Sequence, residues 1–362
     1  MGGLLAMEAN YHATLHQQTI LVTGALGTVG RALLDILLQN GPAEIRVLDN
    51  NETGLFMLQE EMGGRGGLNV FLGDVRDRVK LEAVMEGVDI VFHTAAFKHV
   101  VLSEFNPFEA VQTNVLGVQN IIQQAIRAGV KRVVFTSSDK AANPTSVMGT
   151  SKLMGERLIT AANLISRDRD RVFTSTRFGN VLGSSGSVVP VFARQIAAGG
   201  PVTLTDERMS RFVMTTRQSA ELILTAASLA QGGEVFIPKM PAVRIADLAR
   251  VMIEELAPAY GHEPARLEVR QIGAKPGEKL FEELMTAEEA GRSLESEDLF
   301  IVTPAFRGIY HQRSYSYAGA VAAQRQPYTS AEARCLSAGE LREFLRRHHI
   351  LESYLPAEAA RP

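Results

Sequence analysis

The run from Val133 to Lys152, VVFTSSDKAANPTSVMGTSK, holds the residues best suited to proton chemistry. A β-branched apolar stretch breaks at Thr136-Ser137-Ser138, and Asp139 and Lys140 follow side by side. Lys152 stands four residues after Met148. A carboxyl beside an amine offers both partners of general acid–base catalysis. Charge at a buried strand end is costly, so a pair placed there needs a purpose. A solvated turn with an incidental acid–base pair is the competing reading, and this segment alone leaves both open.

In doubly wound α/β folds ligands bind at the C-terminal ends of the strands, so the elements before this run matter. Thr19-Ile20-Leu21-Val22 reads as a buried strand. It leads directly into TGALGTVG, and a helix over 31–39 is stopped by Gly41-Pro42. Gly24, Gly27 and Gly30 follow a G-x-x-G-x-x-G spacing. Such glycines permit a tight turn and close backbone approach, with a helix N-terminus facing a pyrophosphate. Thr23, Gly24, Leu26, Gly27, Thr28, Val29 and Gly30 are therefore the expected cofactor loop.

The next strand, Ile45 to Leu48, ends at Asp49 and Asn50, where a carboxylate would take a ribose 2′-hydroxyl. An acid there repels a 2′-phosphate, so NAD is favoured over NADP, and Arg46 lies inside the strand. A third strand, Asn69 to Leu72, leads to Asp74 and Val75, with Asp74 expected near the adenine amino group. The fourth, Asp89 to His93, opens onto Ala95, Ala96 and Lys98, where small residues suit passage beside the cofactor. Pro107 to Ala128 reads as one long helix. Asn114 within it must be hydrogen-bonded if buried and would brace the central strands. Ser151 to Leu164 reads as the next helix, with Lys152 in its first turns. Glycines that only turn corners are the alternative, but four strands in this context favour a dinucleotide.

From Val172 a fifth unit reads FTSTRFGNVLGSSGSVVPVF. Gly179 to Ser187 offers bare amides and hydroxyls to a phosphate-bearing ligand, a bland loop being the alternative. Beyond Gly200 the alternation loosens, with short strands at 203–205 and 234–238 and helices at 219–230 and 245–256. Arg211 is a candidate diphosphate clamp, since guanidinium presents a bidentate fork. Residues 274–279 read as a charged turn, followed by a helix carrying Glu282 and Glu283. Gly308 to Ser330, with Tyr310, Tyr315, Tyr317 and Tyr328, reads as wrapping chain, and Ser337 to His348 as a closing helix. The expected fold class is α/β, a doubly wound parallel sheet. The expected division is an N-terminal extension (1–17), a Rossmann domain carrying the catalytic residues (18–200), an interleaved substrate-binding region (201–307) and a C-terminal wrapping segment and helix (308–362).

The 362 residues carry a net charge of −3, which argues for neither nucleic acid nor a membrane surface as partner. A lone cysteine, Cys335, fits a reducing compartment. No apolar run approaches the ~20 residues of a spanning helix, and the N-terminal apolar patch lacks a basic flank. A soluble, cytoplasmic protein is the expectation. No internal repeat or metal-ligand spacing is present, and His348-His349 reads as solvated surface.

TGALGTVG, TAAFKHVVLSEFNPFEAVQTNVLG, SSDKAANPTSVMGTSK, RFGNVLGSSGSVVPVF, GAKPGEKLFEEL and YTSAEARCLSAGELREFL recur in order over roughly Thr19 to Leu345. On these segments the chain resembles the extended short-chain dehydrogenase/reductases. More narrowly, it is similar to the UDP-N-acetylglucosamine 4,6-dehydratases of bacterial capsule, flagellin and glycan biosynthesis. The resemblance implies an NAD-dependent enzyme, a homo-oligomer, acting on a UDP-sugar. C4 of the sugar is oxidised, water leaves across C5–C6, and hydride returns to C6. It implies that Asp139 protonates the departing hydroxyl, Lys140 takes the C5 proton and Ser138 bonds the C4 oxygen, while Lys152 holds the nicotinamide ribose. It further implies that Lys98 and His99 border the sugar and that Asn180, Ser187, Val188 and Arg211 hold the UDP moiety, with Gln195 and Glu278 as additional contacts.

Met148 departs from the superfamily, which usually places a Tyr base there. A thioether accepts no proton at neutral pH, so Lys140, or Ser138 through a water, would have to serve the C4 hydroxyl. Two other functions compete. A nucleotide-sugar 4-epimerase shares fold, NAD and ligand but normally keeps the Tyr and lacks the Asp-Lys pair. A non-catalytic NAD(P)-binding regulator has no reason to keep Asp139, Lys140 and Lys152 together.

Overall fold

Runs rich in Val, Ile and Leu form six parallel strands: β1 (Thr19–Thr23), β2 (Glu44–Asp49), β3 (Leu68–Leu72), β4 (Ile90–His93), β5 (Arg132–Thr136) and β6 (Val172–Thr176). They lie in the spatial order β3-β2-β1-β4-β5-β6, so the direction of winding reverses between β1 and β4. That reversal is the switch point at which doubly wound sheets bind ligands. Every residue of β4 and β6 is buried, as expected of strands covered on both faces. This is a computed structural model, and it describes residues 11–62, 67–166, 168, 170–273, 277–306 and 314–356. Tyr310, Ala274, Lys275, Pro276 and the first ten residues of the expected N-terminal extension lie outside the described residues. Tyr11–Leu15, from the remainder of that extension, is helical.

Chain contacts divide the protein into two bodies. The first comprises residues up to Phe178, Arg217–Lys239 and Leu284–Pro327; the second comprises Gly179–Thr216, Met240–Glu283 and the chain from Tyr328. The expected cut after residue 200 is thus displaced to Phe178/Gly179, and much of 201–327 returns to the first body. Pairing is the reason. Val235–Pro238 adds parallel to β6, and Leu299–Val302, Ser293–Glu295 and Val321–Ala322 extend the sheet antiparallel, giving ten strands among the described residues.

In the first body Leu21, Val91, Val133, Phe135 and Phe173 of the sheet pack against Val84, Val118, Ile121, Ala125 and Ile159 of the covering helices. Each large side chain so buried contributes about 1.5–3 kcal/mol relative to exposure. The helix expected over Pro107 to Ala128 is interrupted: Pro107–Val111 and Val118–Ala128 flank a π-helical stretch, Gln112–Gly117. Such bulges concentrate at functional sites, and this one carries Asn114.

The helix expected from Ser151 starts earlier, at Val147, and runs to Ile165. Ser146 Oγ accepts the Gly149 N–H at 3.1 Å, capping the new start. Met148 and Lys152 therefore stand one turn apart on the same helix. The helix expected around Glu282 and Glu283 is not formed; Glu283–Met285 is a short strand.

In the second body Ser210–Met214 lies between Asn180–Val181 and Ala242–Arg244 in a three-stranded sheet. Helices Val188–Ala197, Ile245–Leu256 and Ala338–Arg347 bury Val189, Phe192, Ile196, Leu248, Met252, Leu341 and Leu345 in one core. The last helix opens on a capping box, Ser337 with Glu340.

Candidate active site

The glycine loop joins β1 to the helix Thr28–Leu37, and its glycines do different jobs. Gly24 has φ of +70°, and a Cβ there would fall 2.5 Å from the Ala95 nitrogen. A Cβ on Gly30 would fall 2.3 Å from the Gly24 carbonyl oxygen. Both are required for the loop to pack on itself and on the turn after β4. Gly27 is different: a Cβ there would meet only the Gly24 oxygen, at 3.2 Å. Its open side, beside the first turn of the helix that carries Thr28, Val29 and Gly30, fits a pyrophosphate. Asp49 Oδ2 accepts the Leu26 N–H at 3.1 Å, so the β2 carboxylate lies against this loop where a ribose hydroxyl is expected. Arg46 is turned back to Glu44 and the Val84 and Glu86 carbonyls.

Asp74, expected near the adenine, is engaged by Arg76 at 2.8 Å and by Asn50 at 3.2 Å. Burial alone would raise its pKa, but the hydrogen bonds from Arg76 outweigh it and hold the carboxyl below its usual range. Val75 is buried. Thr94 Oγ1 donates to the Thr23 and Gly24 carbonyls, fixing the turn that leads to Ala95 and Ala96. Asn114 is buried and bonded as required. It receives the Phe97 N–H at 2.8 Å and donates to the Phe97 carbonyl and Ser151 Oγ, both at 2.9 Å. It braces the turn after β4 against Val147–Ile165, where the central strands themselves were expected. Lys98 and His99 are exposed beside that turn.

At the end of β5, Ser138 caps a short turn of 3₁₀-helix, Asp139–Ala141. Its hydroxyl donates to Asp139 Oδ1 at 2.8 Å, and Lys140 Nζ donates to the same oxygen at 3.0 Å. The Asp139 N–H is held by the Phe178 carbonyl at 3.0 Å. The Asp139 side chain is 1% exposed and that of Lys140 26%, so the acid is fixed and the amine reaches outward. Asp139 Oδ2 is buried with no hydrogen-bond partner among the described residues. A buried oxygen in that condition is costly.

Lys152 donates to the Thr136 carbonyl at 2.8 Å and lies over the Phe135 ring. Burial brings its pKa down to about 8, against the attraction of Glu156. Met148, one turn earlier, is buried. His93 ends β4 with Nδ1 2.7 Å from Thr23 Oγ1, and burial, with Lys152 nearby, keeps it neutral down to a pKa of about 3.

The remaining expected ligand contacts lie in the second body. Asn180 pairs with Val213 in the small sheet. Ser187, ahead of Val188–Ala197, has a buried Oγ without a partner among the described residues. Gln195 is committed differently from expectation, since both ends of its amide bond Thr203, at 2.8 and 3.0 Å. Arg211 is likewise turned inward, its guanidinium donating to the Ser210, Lys279 and Leu280 carbonyls, with Glu282 at 3.7 Å. Glu278 is exposed.

Sequence reasoning passed over Arg177, Glu156 and Glu289, a buried ion triad behind the acid–base turn. Arg177 makes two bonds to Glu156, at 2.9 and 2.6 Å, and two to Glu289, both at 2.9 Å. The signal available was an arginine directly after an all-buried strand.

A model of the polysaccharide biosynthesis protein family matches residues 20–304. The chain belongs to this family. An uncharacterized membrane protein of Methanocaldococcus jannaschii is 51% identical across 79% of this chain and 86% of its own. A UDP-N-acetylglucosamine 4,6-dehydratase (inverting) of Campylobacter jejuni is 36% identical across 83% of this chain and 87% of its own. A UDP-glucose 4-epimerase of Rickettsia canadensis is 35% identical across 91% and 95% respectively.

Among solved structures, Pen from Bacillus thuringiensis is 41% identical with a TM-score of 0.86, covering 93% of this chain and 99% of that one. DesIV, a dTDP-glucose 4,6-dehydratase from Streptomyces venezuelae solved with NAD, is 25% identical with a TM-score of 0.62, covering 72% and 86%. The family's sheet is thus the Rossmann-like one of the short-chain dehydrogenase/reductases. Among the described residues no helix is long and apolar enough to cross a membrane, and no acidic, His or Cys cluster is suited to a metal ion.

Proposed function

We propose that this chain is an NAD-dependent hydro-lyase that dehydrates a UDP-N-acetylhexosamine across C5–C6, giving a 4-keto-6-deoxy sugar. When bound, NAD would accept the hydride leaving C4 and give that hydride back at C6. The glycine loop, Asp49 and Lys152 would hold it, as their geometry fits. The observation that carries the reading is the contact between Lys140 Nζ and buried Asp139 Oδ1 at 3.0 Å.

In this reading the pair starts as ammonium and carboxylate. One proton passed across that contact makes Lys140 a neutral amine and Asp139 a neutral acid, the states elimination needs. Lys140 then takes the C5 proton and Asp139 gives its proton to the C6 hydroxyl, which leaves as water. Both groups thereby return to their charged forms. The proton released from the C4 hydroxyl on oxidation, which would leave through Ser138 and a water, matches in number the one C5 regains when hydride returns to C6, so the full cycle balances. Hydroxide is a poor leaving group, which is why the acid is required. In this reading Ser138 would bond the C4 oxygen in place of Asp139 Oδ1, and Lys98 and His99 would border the sugar. The dehydratase of Campylobacter jejuni supports the same reading.

A second reading, 4-epimerisation, draws on the Rickettsia relative. Met148 and the acid–base pair speak against it, since epimerisation expels no hydroxide. Mass spectrometry together with proton NMR at C4, after incubation with UDP-N-acetylglucosamine, separates the two. Dehydration gives a product lighter by one water with no net NADH, whereas a mass-neutral C4 epimer supports the second reading and an untouched substrate refutes both.

A further inference from the structure

Two carboxylates on one guanidinium leave the Glu156–Arg177–Glu289 triad with a surplus negative charge, met on the Glu289 side by Arg292 at 4.0 Å. The Arg177 side chain is 0% exposed, Glu156 3% and Glu289 5%, and the Leu284 carbonyl accepts a further Arg177 hydrogen bond. Burying this much charge is no aid to stability over an apolar replacement of similar volume. Its placement is more informative.

Glu156 is four residues after Lys152 on Val147–Ile165, hence on the same face one turn on. Arg177 precedes Phe178, whose carbonyl receives the Asp139 N–H. The triad therefore adjoins both parts of the proposed chemistry, the ribose-holding lysine along its helix and the acid–base turn through Phe178.

We propose that Glu156 and Arg177 are positioning residues: the triad fixes the Phe178 carbonyl that seats Asp139 and uses its surplus charge to keep the Lys152 ammonium protonated. The lysine's role as cofactor ligand rests on the proposed function; its coupling to Glu156 does not.

The surroundings of Lys152 leave little else to do this. From β4 it meets His93, neutral because buried, and from β5 the Thr136 carbonyl and the Phe135 ring. Asp139 and Lys140 are bonded to each other, and Glu104, from Val100–Phe105, is engaged by the Val147 N–H. Burial lowers the lysine's proton affinity, and the opposing attraction comes from Glu156.

NMR titration of the full chain labelled at lysine ε-carbons tests this without any turnover, so its outcome is independent of which reaction the site performs. In E156Q the Lys152 midpoint should fall by about one pH unit. E289Q removes the same charge from the far side of Arg177 and should move the midpoint less than half as far. A purely structural triad would leave Lys152 unmoved in both or move it equally, and either result overturns the proposal.

Should E156Q fail to fold, E156M/R177M/E289M replaces the whole cluster by apolar packing, and the same fall is expected from it. As a second readout, the alkaline limb of the pH profile of kcat/KM should move down with the E156Q midpoint and stay near its place in E289Q.

Discussion

Lys140 Nζ and Ser138 Oγ converge on a single oxygen of Asp139, at 3.0 and 2.8 Å, while the other carboxyl oxygen has no hydrogen-bond partner among the described residues. One carboxylate is thereby split into a held end and a working end. The held end fixes the side chain and faces the amine; under the proposed function Asp139 would be the acid that serves the leaving hydroxyl.

Lys140→Ala should cut turnover by about 10²–10⁴-fold, the usual worth of a positioned acid or base. NAD binding, followed by equilibrium dialysis, should be unchanged, because the glycine loop and Asp49 are untouched. Near-normal turnover would move the C5 base elsewhere. Ser138→Ala, which removes one of the two bonds on the held oxygen, should cost less than Lys140→Ala.

Gly30→Ala should abolish dinucleotide binding while leaving the far-UV circular dichroism intact. The added methyl would fall 2.3 Å from the Gly24 oxygen, so the loop must move. Gly27→Ala meets its neighbour at 3.2 Å and should fold normally, with any loss of affinity arising from crowding of the ligand itself.

Acid should reveal His93. Its pKa in the folded chain, about 3, lies below the ordinary 6.5, so between those values the unfolded chain binds a proton that the native chain does not. Stability therefore falls as pH drops through that window. His93→Gln should reduce proton uptake on unfolding by close to one at pH 5, read from the pH dependence of urea midpoints. An unchanged slope would mean the imidazole is reached by water.

Arg177→Met strands two buried carboxylates and should destabilise by about 3–5 kcal/mol, seen as a lowered urea midpoint with unchanged slope. Combining it with E156M and E289M should recover most of that loss. A single substitution as mild as the triple one would show that the carboxylates find water when the arginine is gone.

The placement of Asp139 and Lys140, of the glycine loop and of Asp49 at strand ends was legible because residue type and spacing along one strand end decide it. Helix starts were less so. Val147 begins its helix because Ser146 folds back onto Gly149, a choice that Pro144 and Thr145 obscure in the sequence. The partition into bodies was misplaced because Val235–Pro238 pairs with β6, a contact that depends on chain returning from far away. Gln195 and Arg211 show the same limit. Their side chains suit an anion or a base, and only the fold reveals that Thr203, the 279 and 280 carbonyls and the Glu282 carboxylate engage them.

Arg211 is already a tether. Its guanidinium ties Ser210 to the backbone at 279 and 280, so a nucleotide phosphate could recruit it only by prising those carbonyls loose. Affinity for an anion in this body and slack in that connecting segment then trade against each other. Cleavage by a protease near Lys279 should accelerate on anion binding if the arginine changes partners, and stay constant if it keeps them.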